Sequence, residues 1–133
     1  MGDQMIVFDT HILVWWLTDD AKLDRGLREE VLADPSKVIV SAVSIWETLV
    51  LVQKGRVQLP LEEPGAALRE WIRSSRFIEA PLTGEVAVLS RTLEFEHEDP
   101  ADRFIAATAF ANDARLATSD SRLRALKWLK LAY

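Results

Sequence analysis

Met5-Ile6-Val7-Phe8-Asp9-Thr10-His11 is a short apolar run that ends in an acidic residue. Its apolar, partly β-branched start predicts a buried strand that ends at Asp9. Three later segments have the same character, and stretches with helical spacing separate them. These further strand candidates are Val38-Ile39-Val40, Phe77-Ile78-Glu79 and Leu116-Ala117, and Lys130-Leu131-Ala132 is a candidate edge strand.

Helical spacing predicts five helices between these strands. They cover residues 23–32, 42–54, 64–76, 84–92 and 100–112. Gly55 directly follows the second helix, as expected for a residue that ends a helix. Short apolar strands that alternate with helices of about ten or more residues indicate repeated βαβ units. The sequence therefore predicts an α/β fold with a parallel sheet and helices on both faces.

The length and composition are those of one globular domain. The 133 residues are 49% hydrophobic and 28% charged, so residues 1–133 are expected to form a single domain. There is no cysteine, which excludes disulfides, thiolate zinc sites, iron–sulfur clusters and a cysteine nucleophile. No stretch approaches the roughly 20 apolar residues of a membrane span, and the N-terminal residues lack the basic start of a signal peptide. A cytoplasmic protein with no membrane contact is expected.

Charge is unevenly distributed along the chain. The net charge is −5, with −9 on residues 1–102 and +4 on residues 103–133. An acidic balance disfavours a polyanion as partner. Any binding of phosphate groups must therefore be local or assisted by cations.

Four acidic residues are expected to converge on one edge of the sheet. Asp9 follows the first strand and Asp120 follows the fourth. Glu47 and Asp102 lie in early turns of helices that begin near the same edge. Ligands of parallel α/β sheets bind beyond the carboxyl ends of the strands. The four carboxylates therefore mark a candidate site.

Each acid also has a structural interpretation, which for Glu47 is a capping box with Ser44. Asp9 can cap a following helix, and Asp120 can open a short helix over residues 121–125. Asp102 can be a first-turn acid that the helix dipole favours. Asp99 precedes a proline at the first helical position, and for this acid we favour the capping role.

Taken together, the four acids indicate a metal site. Converging carboxylates repel one another unless a cation lies among them. Hard oxygen ligands with few histidines favour Mg²⁺ or Mn²⁺ over Zn²⁺. Two such ions about 4 Å apart suit in-line displacement at phosphorus. Bound cations would also allow an acidic protein to hold a phosphodiester.

Four motifs resemble those of the PIN-domain family, most closely its VapC-type toxins of bacterial toxin–antitoxin pairs. In chain order they are Asp9-Thr10-His11 with Trp15-Trp16, Ser41-Ala42-Val43-Ser44-Ile45-Trp46-Glu47, His97-Glu98-Asp99-Pro100-Ala101-Asp102-Arg103-Phe104-Ile105-Ala106-Ala107, and Thr118-Ser119-Asp120. The resemblance extends from Met5 to Leu131. It implies a three-layer α/β/α fold with a mainly parallel central sheet. It also implies a Mg²⁺- or Mn²⁺-dependent endoribonuclease that uses metal-activated water and leaves a 5′-phosphate and a 3′-hydroxyl.

The resemblance also suggests roles for individual residues. The family's catalytic and metal-binding acids correspond to Asp9, Glu47, Asp102 and Asp120. Candidate supporting hydrogen-bond donors are Thr10, Ser44 and Thr118. Arg103 is a candidate either for pairing with a carboxylate or for contacting RNA. His11 and His97 lie beside motif residues and receive no role, and the phosphate-contact candidates are Lys54, Arg56 and the C-terminal basic residues.

Partners follow from the same resemblance, which implies an RNA substrate, a cognate antitoxin protein and a homodimer. Trp46 and Trp71 lie in apolar helical stripes and are predicted to be in the core. Trp15 and Trp16 cannot both face inward from one helix, so one of them is expected at an interface. The alternative function is a non-catalytic PIN-fold module that binds a partner helix without needing metal. A receiver or phosphatase domain is disfavoured, because Asp9-Thr10-His11 lacks the second aspartate of a D-x-D motif.

Overall fold

The computed structural model describes residues 4–59, 62–96 and 98–133. His97, part of the third motif, lies outside these residues. The strands are β1 Ile6–Phe8, β2 Val38–Ser41, β3 Ile78–Ala80 and β4 Arg115–Ala117. The helices are α1 Thr10–Leu17, α2 Arg25–Ala33, α3 Ala42–Gln53, α4 Pro64–Ser74, α5 Gly84–Thr92, α6 Pro100–Ala111 and α7 Ser121–Arg124, and a short 3₁₀ turn covers Pro35–Lys37.

The four strands form one sheet in the order β3-β2-β1-β4, and every neighbouring pair is parallel. In the centre of the sheet, Val7 pairs with Ile39 on one side and with Leu116 on the other. The predicted edge strand at residues 130–132 is reduced to one parallel bridge between Leu116 and Leu131. The predicted α/β class with a parallel sheet is confirmed.

Two apolar cores flank the sheet, because successive residues of a strand point to opposite faces. Ile6 and Phe8 pack into a core with apolar residues of α1, α2 and α4. Val7 packs on the opposite face, in a core built largely from α6 and the C-terminal segment. Helices therefore cover both faces, which confirms the three-layer arrangement. Within the described residues, no helix is both long and apolar enough to cross a membrane.

The five predicted helices are present, with ends that differ by at most two residues. The C-terminal end of α3 was predictable from the sequence because a glycine ends the helix. Gly55 adopts a positive φ of 71°. The N–H of Gly55 donates to the carbonyl of Val52 at 3.0 Å, and that of Arg56 donates to Leu51 at 2.9 Å. These two bonds form a Schellman motif, which ends the helix and fixes the direction of the following residues.

The prediction that Trp46 lies in the core is wrong. Its side chain is 62% exposed, because α3 buries the opposite stripe that contains Val43, Ser44 and Thr48. Trp71 does pack partly against the first core. Of the adjacent pair, Trp16 contacts the rings of Phe8 and Phe77 in the core, at centroid distances of 6.1 and 5.8 Å. Trp15 also packs partly against this core, and it lines two surface clefts.

Candidate active site

One cleft at the carboxyl end of the sheet brings the four predicted acids together. We name this cleft, of about 310 Å³, the carboxylate cleft. Its lining residues are Asp9, His11, Trp15, Glu47, Asp99, Asp102, Ser119, Asp120 and Arg122. Convergence of four separate segments follows from the parallel topology, since β1 and β4 end at the same edge and α3 and α6 begin there.

Two of the acids cap helices as well as lining the cleft. Asp9 directly follows β1, and its Oδ1 accepts the N–H of Thr10 at 2.8 Å at the start of α1. Asp120 caps α7, and its Oδ1 accepts the N–H groups of Arg122 and Leu123 at 2.8 and 3.1 Å. The structural and functional interpretations therefore coexist, because these helices begin at the cleft. The N-terminal end of α1 also stabilises a negative charge on Asp9.

Thr118 connects two of the acids through one buried hydroxyl. Its Oγ1 donates to Asp9 Oδ2 at 2.6 Å and accepts the N–H of Asp120 at 3.1 Å. Thr118 directly follows β4, which ends at Ala117. The hydroxyl therefore fixes the side chain of Asp9 and the backbone of Asp120 at the same time.

Glu47 is held in a similar way from α1. Thr10 Oγ1 donates a short hydrogen bond to Glu47 Oε1. The hydroxyl of Thr10 also lies 3.3 Å from that of Ser44, one turn before Glu47 on α3. Because a hydroxyl has one proton, the proton of Thr10 serves Glu47 and Ser44 can donate back to Thr10. Of the three predicted donors, Thr10 donates to Glu47 and Thr118 donates to Asp9, whereas Ser44 contacts the hydroxyl of Thr10.

Burial and neighbouring charges in the cleft disfavour the ionised forms of Asp9 and Glu47. Burial raises the pKa of Asp9, with a further rise from Asp120, while hydrogen bonds from Thr118 and Thr10 lower it. Burial also raises the pKa of Glu47, and the charges of Asp9 and Asp99 add to that rise. The hydrogen bond from Thr10 lowers the pKa of Glu47. When they are ionised, these acids therefore place like charges close together where water is partly excluded.

Asp99 and Asp102 come from the first turn of α6. Asp99 caps the helix, since its Oδ1 accepts the N–H of Ala101 at 3.0 Å. The structure confirms this capping role and adds that Asp99 lines the cleft beside Asp102. That Asp99 lines the cleft was not predicted from the sequence, because helix capping and a place in the site were treated as alternatives. The available signal was the start of α6 at the same edge of the sheet.

Arg103 does not line the cleft, and of its two predicted roles the structure shows the pairing with a carboxylate. Its side chain is 8% exposed, its Nε donates to the carbonyl of Ser90 at 2.8 Å, and its guanidinium lies 4.6 Å from the ring centroid of Phe95. Its Nη1 pairs with Glu98 at 3.3 Å. Adjacent helix residues are rotated by about 100°, so Arg103 binds α5 when Asp102 faces the cleft.

Among the basic phosphate-contact candidates, Arg122 lines the carboxylate cleft. Its Nη2 lies 3.7 Å from Asp120 Oδ2, so it offsets part of the negative charge there. His11 is exposed at the rim and contacts the ring of Trp15, with centroids 6.4 Å apart. The side chains of Arg122 and His11 therefore lie near the acids, where their nitrogen atoms can donate hydrogen bonds to a phosphate group.

The donor chemistry of the cleft fits a hard divalent cation. The carboxylates gather like charge, part of which Arg122 offsets, and a bound cation would also relieve it. Within the described residues, no three acidic or histidine side chains already form a ready-made ligand set. Mg²⁺ commonly keeps several waters and is held by only one or two carboxylates, so it does not need such a set.

The chain is thus an α/β/α domain with a parallel sheet. Acids from four separate segments lie at the carboxyl edge of that sheet. The model of the PIN domain matches residues 6–129 of this chain. The chain belongs to the PIN domain family.

Relatives cover nearly the whole chain. It is 30% identical over 122 residues to Ribonuclease VapC22 of Mycobacterium tuberculosis (strain ATCC 25618 / H37Rv), covering 90% of this chain and 89% of that protein. The fold is similar to a toxin–antitoxin complex chain from Klebsiella pneumoniae, with a TM-score of 0.68, 21% identity and 96% and 98% of the two chains covered. It is also similar to VapBC2 from Rickettsia felis bound to a promoter DNA fragment, with a TM-score of 0.67, 17% identity and 96% of each chain covered.

Proposed function

We propose that this protein is a metal-dependent endoribonuclease and the toxin of a toxin–antitoxin pair. The observation that carries the proposal is the convergence of Asp9, Glu47, Asp102 and Asp120 in one cleft. The similarity to a ribonuclease over 90% of the chain supports RNA as the substrate class.

The proposed cofactor is Mg²⁺ or Mn²⁺, held by Asp9 and Asp102 with help from Glu47 and Asp120. When bound, such an ion would polarise the scissile phosphate and lower the pKa of an attacking water. Thr118 and Thr10 orient two of the acids through their hydroxyls. Arg122, beside Asp120, is placed to hold a phosphate oxygen at the rim.

Metal binding tests the proposed ligands. We expect wild-type protein to bind Mn²⁺ in calorimetry and Asp102→Asn to lose that binding, because one ligand oxygen becomes an amide. Asp113→Asn is the matched control, since Asp113 is exposed and pairs with Lys130 outside the cleft. Folded wild-type protein that binds no Mn²⁺, even with RNA present, would favour the non-catalytic module instead.

RNA cleavage tests the activity itself. We expect Asp9→Asn and Asp102→Asn each to reduce Mg²⁺-dependent cleavage of single-stranded RNA by more than about 100-fold. Asp113→Asn should cleave like the wild type. Circular dichroism checks that each variant is folded. Full activity in both cleft variants would contradict the assignment of these residues.

The proposed protein partners are a cognate antitoxin and a second copy of the chain. An antitoxin is supported by the similarity to the Klebsiella pneumoniae toxin–antitoxin complex. A homodimer is supported by an apolar cleft of about 370 Å³ beside the start of α3 and α6. Trp46, Leu82 and Phe104 line this apolar cleft, and Trp46 and Leu82 are exposed. Exposed apolar patches of this kind mark interaction surfaces.

A further inference from the structure

A second cleft adjoins the carboxylate cleft. It lies between α1 and the turn after α3 and has a volume of about 480 Å³. We name it the α1–α3 cleft. His11 and Trp15 line both clefts, so the two clefts adjoin at these side chains. A ligand that extends from the carboxylates past Trp15 enters the α1–α3 cleft.

The charge of the α1–α3 cleft differs from that of its neighbour. Lys22 and Arg56 line it, with Asp20 as the single acid among its described lining residues. Neither Lys22 nor Arg56 forms an ion pair with a carboxylate in the part of the chain that the structure describes. In a chain of net charge −5, two such cations beside an acidic site are a local attraction for anions.

Local structure fixes the backbone at both cationic residues. Asp20 Oδ1 accepts the backbone N–H of Lys22 at 2.8 Å, which holds the loop after α1. The Schellman motif at Gly55 sets Arg56 at the end of α3, with its N–H bonded to Leu51 at 2.9 Å. The two positive side chains thus enter the cleft from different segments of the chain.

Trp15 adds an aromatic surface at the junction of the clefts. Its side chain is partly exposed, and the Nζ of Lys22 lies 5.9 Å from its ring centroid. An indole ring beside cationic side chains suits a nucleotide, because the ring can stack on the flat base while the cations bind the charged phosphate. Single-stranded nucleic acids are bound by this combination of stacking and positive charge.

We propose that the α1–α3 cleft binds the RNA strand next to the scissile phosphodiester. In this arrangement a base stacks on Trp15, while Lys22 and Arg56 bind flanking phosphates. This inference rests on the proposed ribonuclease function and extends it, because it assigns the residues that hold the substrate beyond the reacting group. It also explains how an acidic protein retains a polyanion while its reaction site is rich in carboxylates.

Binding of a fluorescein-labelled, mixed-sequence single-stranded RNA tests the proposal by anisotropy. All proteins carry Asp9→Asn so that the strand stays intact. We expect Lys22→Gln with Arg56→Gln to weaken binding about tenfold and to reduce the slope of log affinity against log salt by about 1.4, for two lost phosphate contacts. Trp15→Leu should weaken binding about tenfold with an unchanged slope, and Trp15→Phe should restore most of it. Arg25→Gln, at an exposed arginine that lines neither cleft, should bind like the parent.

Cleavage of the same RNA by proteins with Asp9 intact distinguishes failure of the cleft assignment from failure of the proposed function. If wild-type protein cleaves RNA while the Lys22, Arg56 and Trp15 variants bind and cleave normally, the cleft assignment is overturned and the proposed function stands. If wild-type protein neither binds nor cleaves RNA, both are overturned. Variants that keep RNA binding but lose a co-purifying antitoxin would show a protein-docking groove, which also overturns the assignment. The double Lys22 and Arg56 variant changes exposed or rim side chains, so it tests the proposal even if Trp15→Leu fails to fold.

Discussion

Individual acids in the carboxylate cleft are held by hydroxyl groups. Thr118 donates to Asp9 at 2.6 Å, and Thr10 donates to Glu47. A neutral donor orients a carboxylate without cancelling its charge, so the acid keeps its attraction for a cation. Residues that support metal ligands in this way commonly change metal affinity or activity by about 10–100-fold when they are replaced.

Thr118→Val is expected to lower RNA cleavage by about 10–100-fold, because it frees Asp9 and leaves the N–H of Asp120 without its acceptor. The lost bonds should also lower the free energy of unfolding by about 1–3 kcal/mol. Thr118→Ser keeps the hydroxyl and should restore activity. Thr108→Val is the control, since this buried threonine donates to Phe104 within α6. Equal activity of Thr118→Val and Thr108→Val would contradict the positioning role.

A second residue-scale prediction concerns pH and Glu30. Hydrogen bonds from Arg115 lower the pKa of Glu30 below its ordinary value of 4.5. The folded state therefore favours ionised Glu30, which contributes stability above pH 4.5 and loses it as the pH falls through the lowered pKa. Glu30→Gln should reduce the free energy of unfolding by about 1–2 kcal/mol at pH 7, and the difference should shrink at more acidic pH.

Urea unfolding at a series of pH values measures this difference. Glu29→Gln, an exposed neighbour on α2, should change stability by less than about 0.5 kcal/mol. A Glu30→Gln deficit that stays constant from pH 7 to acidic pH would show that the ion pair is not its source.

At the scale of elements, the site is built from helix starts. α1, α3 and α6 all begin at the carboxyl edge of the parallel sheet, so their capping residues and first turns meet there. Sequence patterns located several helix ends well, because Pro64 and Pro100 mark the starts of α4 and α6 and Gly55 marks the end of α3. They did not show that a cap and a cleft residue can be the same side chain, as for Asp9 and Asp99.

Asp99 allows the capping role to be separated from metal binding. Asp99→Ser retains a capping oxygen, so we expect near-wild-type stability and cleavage. Asp99→Ala removes the cap and should lower the free energy of unfolding by about 1 kcal/mol. Thermal unfolding and RNA cleavage measure the two effects. If Asp99→Ser loses cleavage as fully as Asp102→Asn, then Asp99 takes part in the reaction and capping is not its main role.

At the scale of the whole molecule, two cores on opposite faces of the sheet leave some large apolar side chains outside. Trp46 is the largest of them on α3, and it lines the apolar cleft close to the carboxylates. A dimer formed through this face would bring the carboxylate clefts of the two copies near each other.

Trp46→Glu is expected to convert the proposed dimer to monomer, since a charge at the centre of an apolar interface is desolvated without a partner. Size-exclusion chromatography with light scattering measures the mass. Leu32→Glu is the control, because Leu32 is comparably exposed but lies on α2, outside the apolar cleft. A dimer that persists in Trp46→Glu, or is broken equally by Leu32→Glu, would place the interface elsewhere.

The sequence by itself determined the four strands of the sheet, the approximate bounds of α2 to α6 and the edge where the acids meet. Those features depend on apolar periodicity and capping residues, which act locally. Only the tertiary structure decided that Trp46 is exposed, that Arg103 binds α5, and that Lys22 and Arg56 share a cleft with Trp15. The direction of a side chain relative to distant segments depends on how the helices pack on the sheet. That packing is a property of the assembled layers, and no short stretch of sequence carries it.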